Sequence, residues 1–326
     1  MIVYDHLWAP YGYVIKDKKL RRLLLCFAVR RLKNIGQNGA ANYVPDPRTK
    51  KVSTTTRYEH SVGCMLLTLL LGGTIKEAIV ALLHDIMHTA FSHTVDFLAK
   101  DPSVSYHEKF KDKQLRKFKL ELVLILGKRW KFFFDESKHV LIKKNNPFAI
   151  DICDYIARDA VSNGFVTARE VRHQMKYMAI DPATRRLCCT TKKARKWWIA
   201  TTKTVNDSIY NSPWNVYVNH RLAEEIRDLI TEKHVTFDEI LDPKPDTETK
   251  IVDKISVKNG KSFKNGILDS TRDKNLVLEK KRSCAKHSVI VGTFPVRKRY
   301  VLPPLLGGKM DELCSLVTTV RDLVIY

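Results

Sequence analysis

The chain has 326 residues, 44% of them hydrophobic, so it can bury a substantial core, and one large domain with a smaller companion is the expectation for an ordinary soluble globule. Lys and Arg number 57 against 35 Asp and Glu, a formal charge of +22 that favours polyanionic partners, nucleotides or single-stranded nucleic acid held on a basic surface. Seven cysteines, an odd number without a C-x-x-C pair, argue against a disulfide framework and for reduced thiols inside a cell, in cytoplasm or nucleus.

Met1-Ile2-Val3-Tyr4-Asp5-His6 lacks the basic start and apolar block of a leader, and the longest greasy run, Met65 to Leu71, is too short to span a bilayer. No membrane association is expected. A short extended lead, Gly12-Tyr13-Val14-Ile15, precedes a helix rich in Arg and Leu that runs up to Arg31-Leu32-Lys33-Asn34-Ile35-Gly36. Residues 37 to 55, with Gly39, Pro45 and Pro47, form a polar loop placed to close over a site.

Thr56-Arg57-Tyr58-Glu59 reads as a capping box, after which Val62, Met65, Leu66, Leu69 and Leu70 repeat as an apolar face, so His60 falls in a first helical turn. In the next helix Ile75, Ala78, Ile79, Leu82, Leu83 and Ile86 make a core-facing stripe. His84 and His88 lie four apart on the other side, with Asp85 about a quarter-turn from His84. An imidazole beside a carboxylate suits a hard or borderline divalent cation, and two ligands do not hold one. His60 and Asp151 are the candidates to complete the set.

After Asp101-Pro102 the chain turns polar, and His107, among Lys and Glu, reads from spacing alone as a surface residue. Trp130, Phe132, Phe133 and Phe134 alternate with cations as base-stacking residues would, but an aromatic run beside Leu124 to Leu126 reads first as core. Asn146-Pro147 then caps a helix that Gly164 stops after Asn163. On it Asp151, Tyr155 and Asp159 share a face, and Asp154 and Arg158 pair at four-residue spacing. Residues 165 to 235 read as further helices. A composition break at Asp242-Pro243-Lys244-Pro245-Asp246 divides residues 1–241 from a linker, 242–250, and a small α+β lobe, 251–326. That lobe has β-like runs at Ile251-Val252, Ser288 to Val291 and Arg299 to Val301, and turns at Asn259-Gly260 and Asn265-Gly266.

The strings T-R-Y-E-H-S-V-G, A-L-L-H-D-I, F-S-H and D-Y-I-A-R-D, in that order, resemble the HD-domain phosphohydrolases, and within them the deoxynucleoside triphosphate triphosphohydrolases. A lone His-Asp pair would be a weak sign; four ordered strings are a specific one, and the resemblance covers most of residues 1 to 235. The resemblance implies a mainly α fold, a helical HD-domain core around one metal site. It implies that His60, His84, Asp85 and Asp151 hold one divalent ion: iron, manganese, zinc or magnesium. By the same resemblance His88, His93, Asp96 and His107 serve substrate contact and proton transfer, with His107 as proton donor. Arg57, Tyr155 and Asp159 match positions that contact phosphate or nucleotide, and Asn34 and Ile35 fall in a string that borders the substrate base.

The implied reaction converts a deoxynucleoside triphosphate to deoxynucleoside and tripolyphosphate, in a family that tends to form homo-oligomers. The departures are Met87 for a glycine, Thr89-Ala90 for Gly-Pro, Ile152 for a phosphate-contacting lysine, and Thr202 and Asn206 for a later Arg and His, with Lys203 as a substitute phosphate contact. These leave open another phosphohydrolase substrate, a monophosphate, cyclic dinucleotide or oligonucleotide end, and a nucleic-acid-binding protein on the same scaffold.

Overall fold

The computed structural model describes residues 1–260 except 47, 99–105, 143–145 and 147, and beyond them only the backbone of two paired strands; for His107, Glu108, Glu136 and Pro213 it likewise describes the backbone alone. The chain opens with a hairpin, β1 (Ile2–Asp5) against β2 (Ala9–Val14), its turn closed by Asp5 Oδ1 accepting from Leu7 N at 3.0 Å and Trp8 N at 2.8 Å. The helix expected next is two: α1 (Lys18–Leu25), capped by Asp17, and α2 (Phe27–Arg30), with a break where Cys26 is extended. A 3₁₀ turn, Arg31–Asn34, follows.

Then come α3 (Arg57–Leu70) and α4 (Ile75–Leu83), each started by a complete capping box, Thr56 with Glu59 and Thr74 with Glu77. A 3₁₀ segment, Ser92–Leu98, leads to the short α5 (Tyr106–Lys109) and to α6 (Lys111–Leu126). Helix α7 (Ile150–Ser162) starts after Ala149, three residues beyond the expected Asn146 cap, and stops where Asn163 precedes Gly164 at φ 75°. Helix α8 (Ala168–Met175) is followed by a hairpin that the helical reading of 165–235 misses, β3 (Met178–Ile180) with β4 (Leu187–Cys189).

Helices α9 (Lys192–Val205), α10 (Pro213–Thr231), α11 (Phe237–Leu241) and α12 (Thr247–Lys258) complete the helical body. Strands β5 (Gly292–Tyr300) and β6 (Val317–Ile325) pair antiparallel. The expected turn at Asn265-Gly266, the strand at Ser288 to Val291, and Cys284 and Cys314 lie outside the described residues.

Helix α3 is the centre of the packing. Ten of its fourteen residues are buried, because α4 covers one side and α7 the other. Val62, Met65 and Leu66 of α3, Ala78, Ile79 and Leu82 of α4, and Ile152, Ile156 and Ala157 of α7 share one apolar cluster with Leu20 and Leu23 of α1 and Trp198 of α9. Each large side chain so removed from water contributes about 1.5–3 kcal/mol. Trp130 is buried and Phe133 and Phe134 pack on the same cluster, so this aromatic run is core. A second cluster joins Phe91 and Val95 to Val218, Leu222 and Ile226 of α10 and to Ile251 and Ile255 of α12.

Two expectations change here. Ile251-Val252 belongs to a helix, and residues 247–250 form its first turn, with Glu248 3% exposed in the interior. Helix α4 ends at Leu83, so His88 is not on it. The buried guanidinium of Arg31 takes the carbonyls of Ile86 and His88, each at 2.9 Å, and the bonds Ile86 N to Leu83 O and His88 N to Asp85 O tighten the chain into turns.

The five described cysteines, Cys26, Cys64, Cys153, Cys188 and Cys189, are buried and free. Among the described residues no helix is long and apolar enough to cross a membrane.

Candidate metal centre

Three structural devices bring four side chains together. The Thr56 capping box fixes the start of α3 and places His60 in its first turn. The unwinding after Leu83 presents His84 and Asp85 together, and Asp151 stands in the first turn of α7. His60 Nε2 lies 3.0 Å from Asp151 Oδ1, 3.2 Å from His84 Nε2 and 3.7 Å from Asp85 Oδ2. His84 Nε2 is 3.4 Å from Asp85 Oδ1 and 3.6 Å from Asp151 Oδ1.

The donor set fits one divalent cation. His84 Nδ1 donates to the Ala81 carbonyl at 2.8 Å, and a carbonyl only accepts, so in the neutral ring the lone pair is on Nε2. His60 Nδ1 faces Asp154 Oδ2 at 2.8 Å, which again turns Nε2 toward the cluster. Two lone pairs and two carboxylates facing one another repel unless a proton or cation lies among them. Donors bonded at about 2.1 Å to one ion stand about 3.0 Å apart at right angles and about 3.4 Å apart in a tetrahedron. Three of the observed separations, 3.0, 3.2 and 3.4 Å, match this, and those from His60 to Asp85 and from His84 to Asp151, 3.7 and 3.6 Å, are slightly wider.

Burial alone would raise the Asp85 and Asp151 carboxyls, but the imidazoles of His84 and His60, with the Arg57 guanidinium beside Asp85, hold both well below the ordinary range. Both therefore remain charged. The Cys64 sulphur also lies close, 3.8 and 3.9 Å from the two ring nitrogens of His60. Equidistance puts it off the line of either lone pair, and burial pushes its thiol up to about 12, so the carboxylates are the better partners. The open side is Asp151, whose side chain is 34% exposed, while those of His60, His84 and Asp85 are 0%, 11% and 9% exposed.

The HD domain model matches residues 57–159, the stretch that carries all four side chains. Over 237 residues, 71% of this chain and 70% of the other, the chain is 32% identical to the uncharacterized protein YdhJ of Bacillus subtilis. The chain belongs to the HD-domain family. It is also 29% identical over 224 residues to the metal-dependent phosphohydrolase cns2 of Cordyceps militaris, a match of 67% of this chain and 63% of that one.

Two solved structures share the HD-domain fold seen here. A phosphohydrolase from Bacteroides thetaiotaomicron aligns with a TM-score of 0.52 at 21% identity, over 72% of this chain and 60% of that one. A hypothetical protein from Aquifex aeolicus aligns with a TM-score of 0.56 at 20% identity, over 86% and 76%.

Around this HD centre the other expected residues divide. Arg57 is buried and aimed at it: Nη1 reaches Asp85 Oδ2 at 2.8 Å and Nε reaches Ser92 Oγ at 2.9 Å. His88 Nε2 is 3.3 Å from Asp85 Oδ1, and its ring stands edge-on to that of His93 at 5.1 Å. His93 is exposed and pairs with Asp96 at 3.0 Å, while Asp96 Oδ1 also accepts from Tyr106 N. Asp96 thus anchors the backbone next to His107, whose side chain lies outside the described residues.

Tyr155 stands between His60, at 6.4 Å between rings, and Tyr210, at 5.9 Å. Asp159 is buried, accepts from Asn38 Nδ2 at 3.0 Å and from the Tyr210 hydroxyl, and burial raises its pKa. Ile35 is fully buried in the core, and its carbonyl receives Arg57 N at 2.9 Å. Asn34 is exposed at the end of the 3₁₀ turn. Thr202 and Asn206 bond each other, Asn206 Nδ2 to Thr202 O at 2.9 Å, and Lys203 pairs with Asp207.

Sequence reasoning missed Ser92 as an Arg57 partner, Asn38 and Tyr210 as Asp159 partners, and Asp154 as the carboxylate behind His60. Asp154 and Ser92 left a sign, their places in D-Y-I-A-R-D and F-S-H.

Proposed function

We propose that the chain is a metal-dependent phosphohydrolase acting on a nucleotide, with a deoxynucleoside triphosphate as the favoured substrate and deoxynucleoside and tripolyphosphate as products. The observation that carries the reading is the convergence of His60, His84, Asp85 and Asp151, with both imidazole Nδ1 atoms tied elsewhere and Arg57 beside Asp85. The name of cns2 supports the reaction class.

A divalent ion held by these four residues would polarise a phosphoryl oxygen and supply a nucleophilic water near neutral pH. The chain's own residues do the rest. Arg57, desolvated and fixed by Ser92, offsets negative charge that develops at the phosphorus. Tyr155 and Tyr210 offer an aromatic wall beside the open, Asp151 side, where a sugar and base fit against ring faces. His88, in reach of Asp85 and beside His93, and His107 on α5 are the groups assigned to proton transfer to the leaving oxygen.

A second reading is favoured by one observation. Ile152 is buried, the Asn206 side chain is bonded to the Thr202 carbonyl of α9, and Lys203 is paired with Asp207, so at the positions where contacts to the outer phosphates were expected the described residues offer little cationic help. A substrate with a single phosphate group is the alternative. The +22 charge also suits binding of single-stranded nucleic acid.

The test is release of tripolyphosphate from each of the four dNTPs by purified protein with Mn, Fe or Mg, with Asp85→Ala as control. Turnover that disappears in the control is the expected result. No turnover of any dNTP by protein with a filled metal site would overturn the triphosphate reading, and orthophosphate release from monophosphates under the same conditions would replace it.

A further inference from the structure

We infer that Asp154 is a positioning residue of the metal centre and that the N-terminal hairpin acts on the centre through it. The inference rests on reading His60 as a metal ligand. Asp154 is fully buried in the second turn of α7 and receives three donors: Trp8 Nε1 on Oδ1 at 2.5 Å, and Arg158 Nε at 2.7 Å and His60 Nδ1 at 2.8 Å on Oδ2. Arg158, buried with it, turns its Nη2 to Asp5 Oδ2 at 2.7 Å, and the other Asp5 oxygen holds the turn that carries Trp8. Trp8, Asp154, Arg158 and Asp5 therefore close a ring of hydrogen bonds, with His60 as its one branch toward the metal cluster.

A plain structural ion pair would need only Arg158 and a carboxylate. The additional partners have a different logic. With Trp8 Nε1 donating to one oxygen and Arg158 Nε to the other, the Asp154 carboxylate is the acceptor of its contact with His60, so Nδ1 is the donor and Nε2 carries the lone pair toward the cluster. A negative charge behind the ring also makes Nε2 a stronger base toward a cation. Trp8 Nε1 occupies the second oxygen and so prevents the carboxylate from rotating away from the ring. Gly63, one turn along α3, leaves the room this needs, since a methyl there would overlap Arg158 Nη2 and Asp154 Oδ1.

The experiment measures Mn²⁺ affinity by calorimetry on full-length wild type, Asp154→Asn, Trp8→Phe and His84→Ala, with circular dichroism to confirm folding. Asp154→Asn is expected to weaken Mn²⁺ binding by about 10- to 100-fold, and Trp8→Phe, which keeps the ring and should fold, by a smaller factor. Nitrogen-15 spectra of the Zn²⁺-loaded protein add a readout that loss of packing would not move. His60 should show Nδ1–H in wild type, with a strongly hydrogen-bonded proton signal that weakens in Asp154→Asn.

Wild-type affinity in both folded variants, together with its loss in His84→Ala, would overturn the positioning role and leave the ligand assignment standing. Unchanged affinity in His84→Ala would overturn the ligand assignment and this inference with it. If Asp154→Asn does not fold, Trp8→Phe decides.

Discussion

Glu248 Oε1 accepts the backbone N–H of Phe91 at 2.5 Å, a bond between residues 157 apart in sequence. Its other oxygen takes Gly36 N at 3.2 Å and the Tyr43 hydroxyl at 2.5 Å. Phe91 and Ser92 both have positive φ, 57° and 51°, an unfavourable backbone for non-glycine residues, and they stand where Ser92 meets Arg57. Glu248 is one of the contacts that hold this conformation.

Burial outweighs the three donors and raises the Glu248 carboxyl to about 7. An acid with a folded pKa above its ordinary 4.5 stabilises the fold fully below pH 4.5, and that contribution is lost as pH rises through about 7. On the order of 1–3 kcal/mol is involved. Urea midpoints of wild type should fall between pH 5 and pH 8 by more than those of Glu248→Gln, which has no titrating group there. Equal falls in the two proteins would refute this.

Stripping divalent metal with a chelator should lower the unfolding temperature, and Mn²⁺ at 100 times its dissociation constant should restore about 2.7 kcal/mol. His84→Ala removes a central donor and should abolish the recovery. A recovery of the same size in that variant would place the ion elsewhere.

Gly63→Ala should cost about 2–3 kcal/mol or more, because the added methyl overlaps a buried ion pair between two packed helices. Gly164→Ala, at φ 75° with open space around it, meets only backbone strain and should cost about 1 kcal/mol. Thermal unfolding that ranked the two in the opposite order would show that α3 and α7 separate easily.

Arg57→Lys keeps the charge and loses the fork that spans Ser92 Oγ and Asp85 Oδ2. With whichever nucleotide proves active, kcat should drop at least about tenfold, the equivalent of about 1.4 kcal/mol, while metal content stays near wild type. Undiminished kcat would remove Arg57 from charge stabilisation.

Local rules were enough for much of this architecture. The Thr56–Glu59 box and the stop at Gly164 each depend on residues within one or two turns and stand as the residues suggest. Of the stripe expected from Ile75 to Ile86, Ala78 to Leu83 is buried on α4, while Ile75 is exposed and Ile86 lies past the helix end. What escaped depends on partners far along the chain. The end of α4 is set by Arg31, more than fifty residues upstream, which takes two carbonyls that a continuing helix would have used. Asp154 and Arg158 read from spacing only as a pair on one helix, and Trp8 and Asp5, far along the chain, are the partners that spacing did not show. Ile251-Val252 suggested a strand because both residues are β-branched, although Glu248, Ile251 and Ile255 already had the spacing of one helix face.

The ring joining Trp8 and Asp5 to Asp154 and Arg158 also bears on the order of assembly. Its bonds close loops of 146 and 153 residues, and such contacts repay their closure entropy only after the intervening helices have collapsed. During synthesis the hairpin emerges before α7, and its indole and carboxylate wait for that helix. Restoration of Mn²⁺ affinity after dilution from denaturant should therefore lag behind the recovery of helical signal, making the ion a clock for the last stage of folding.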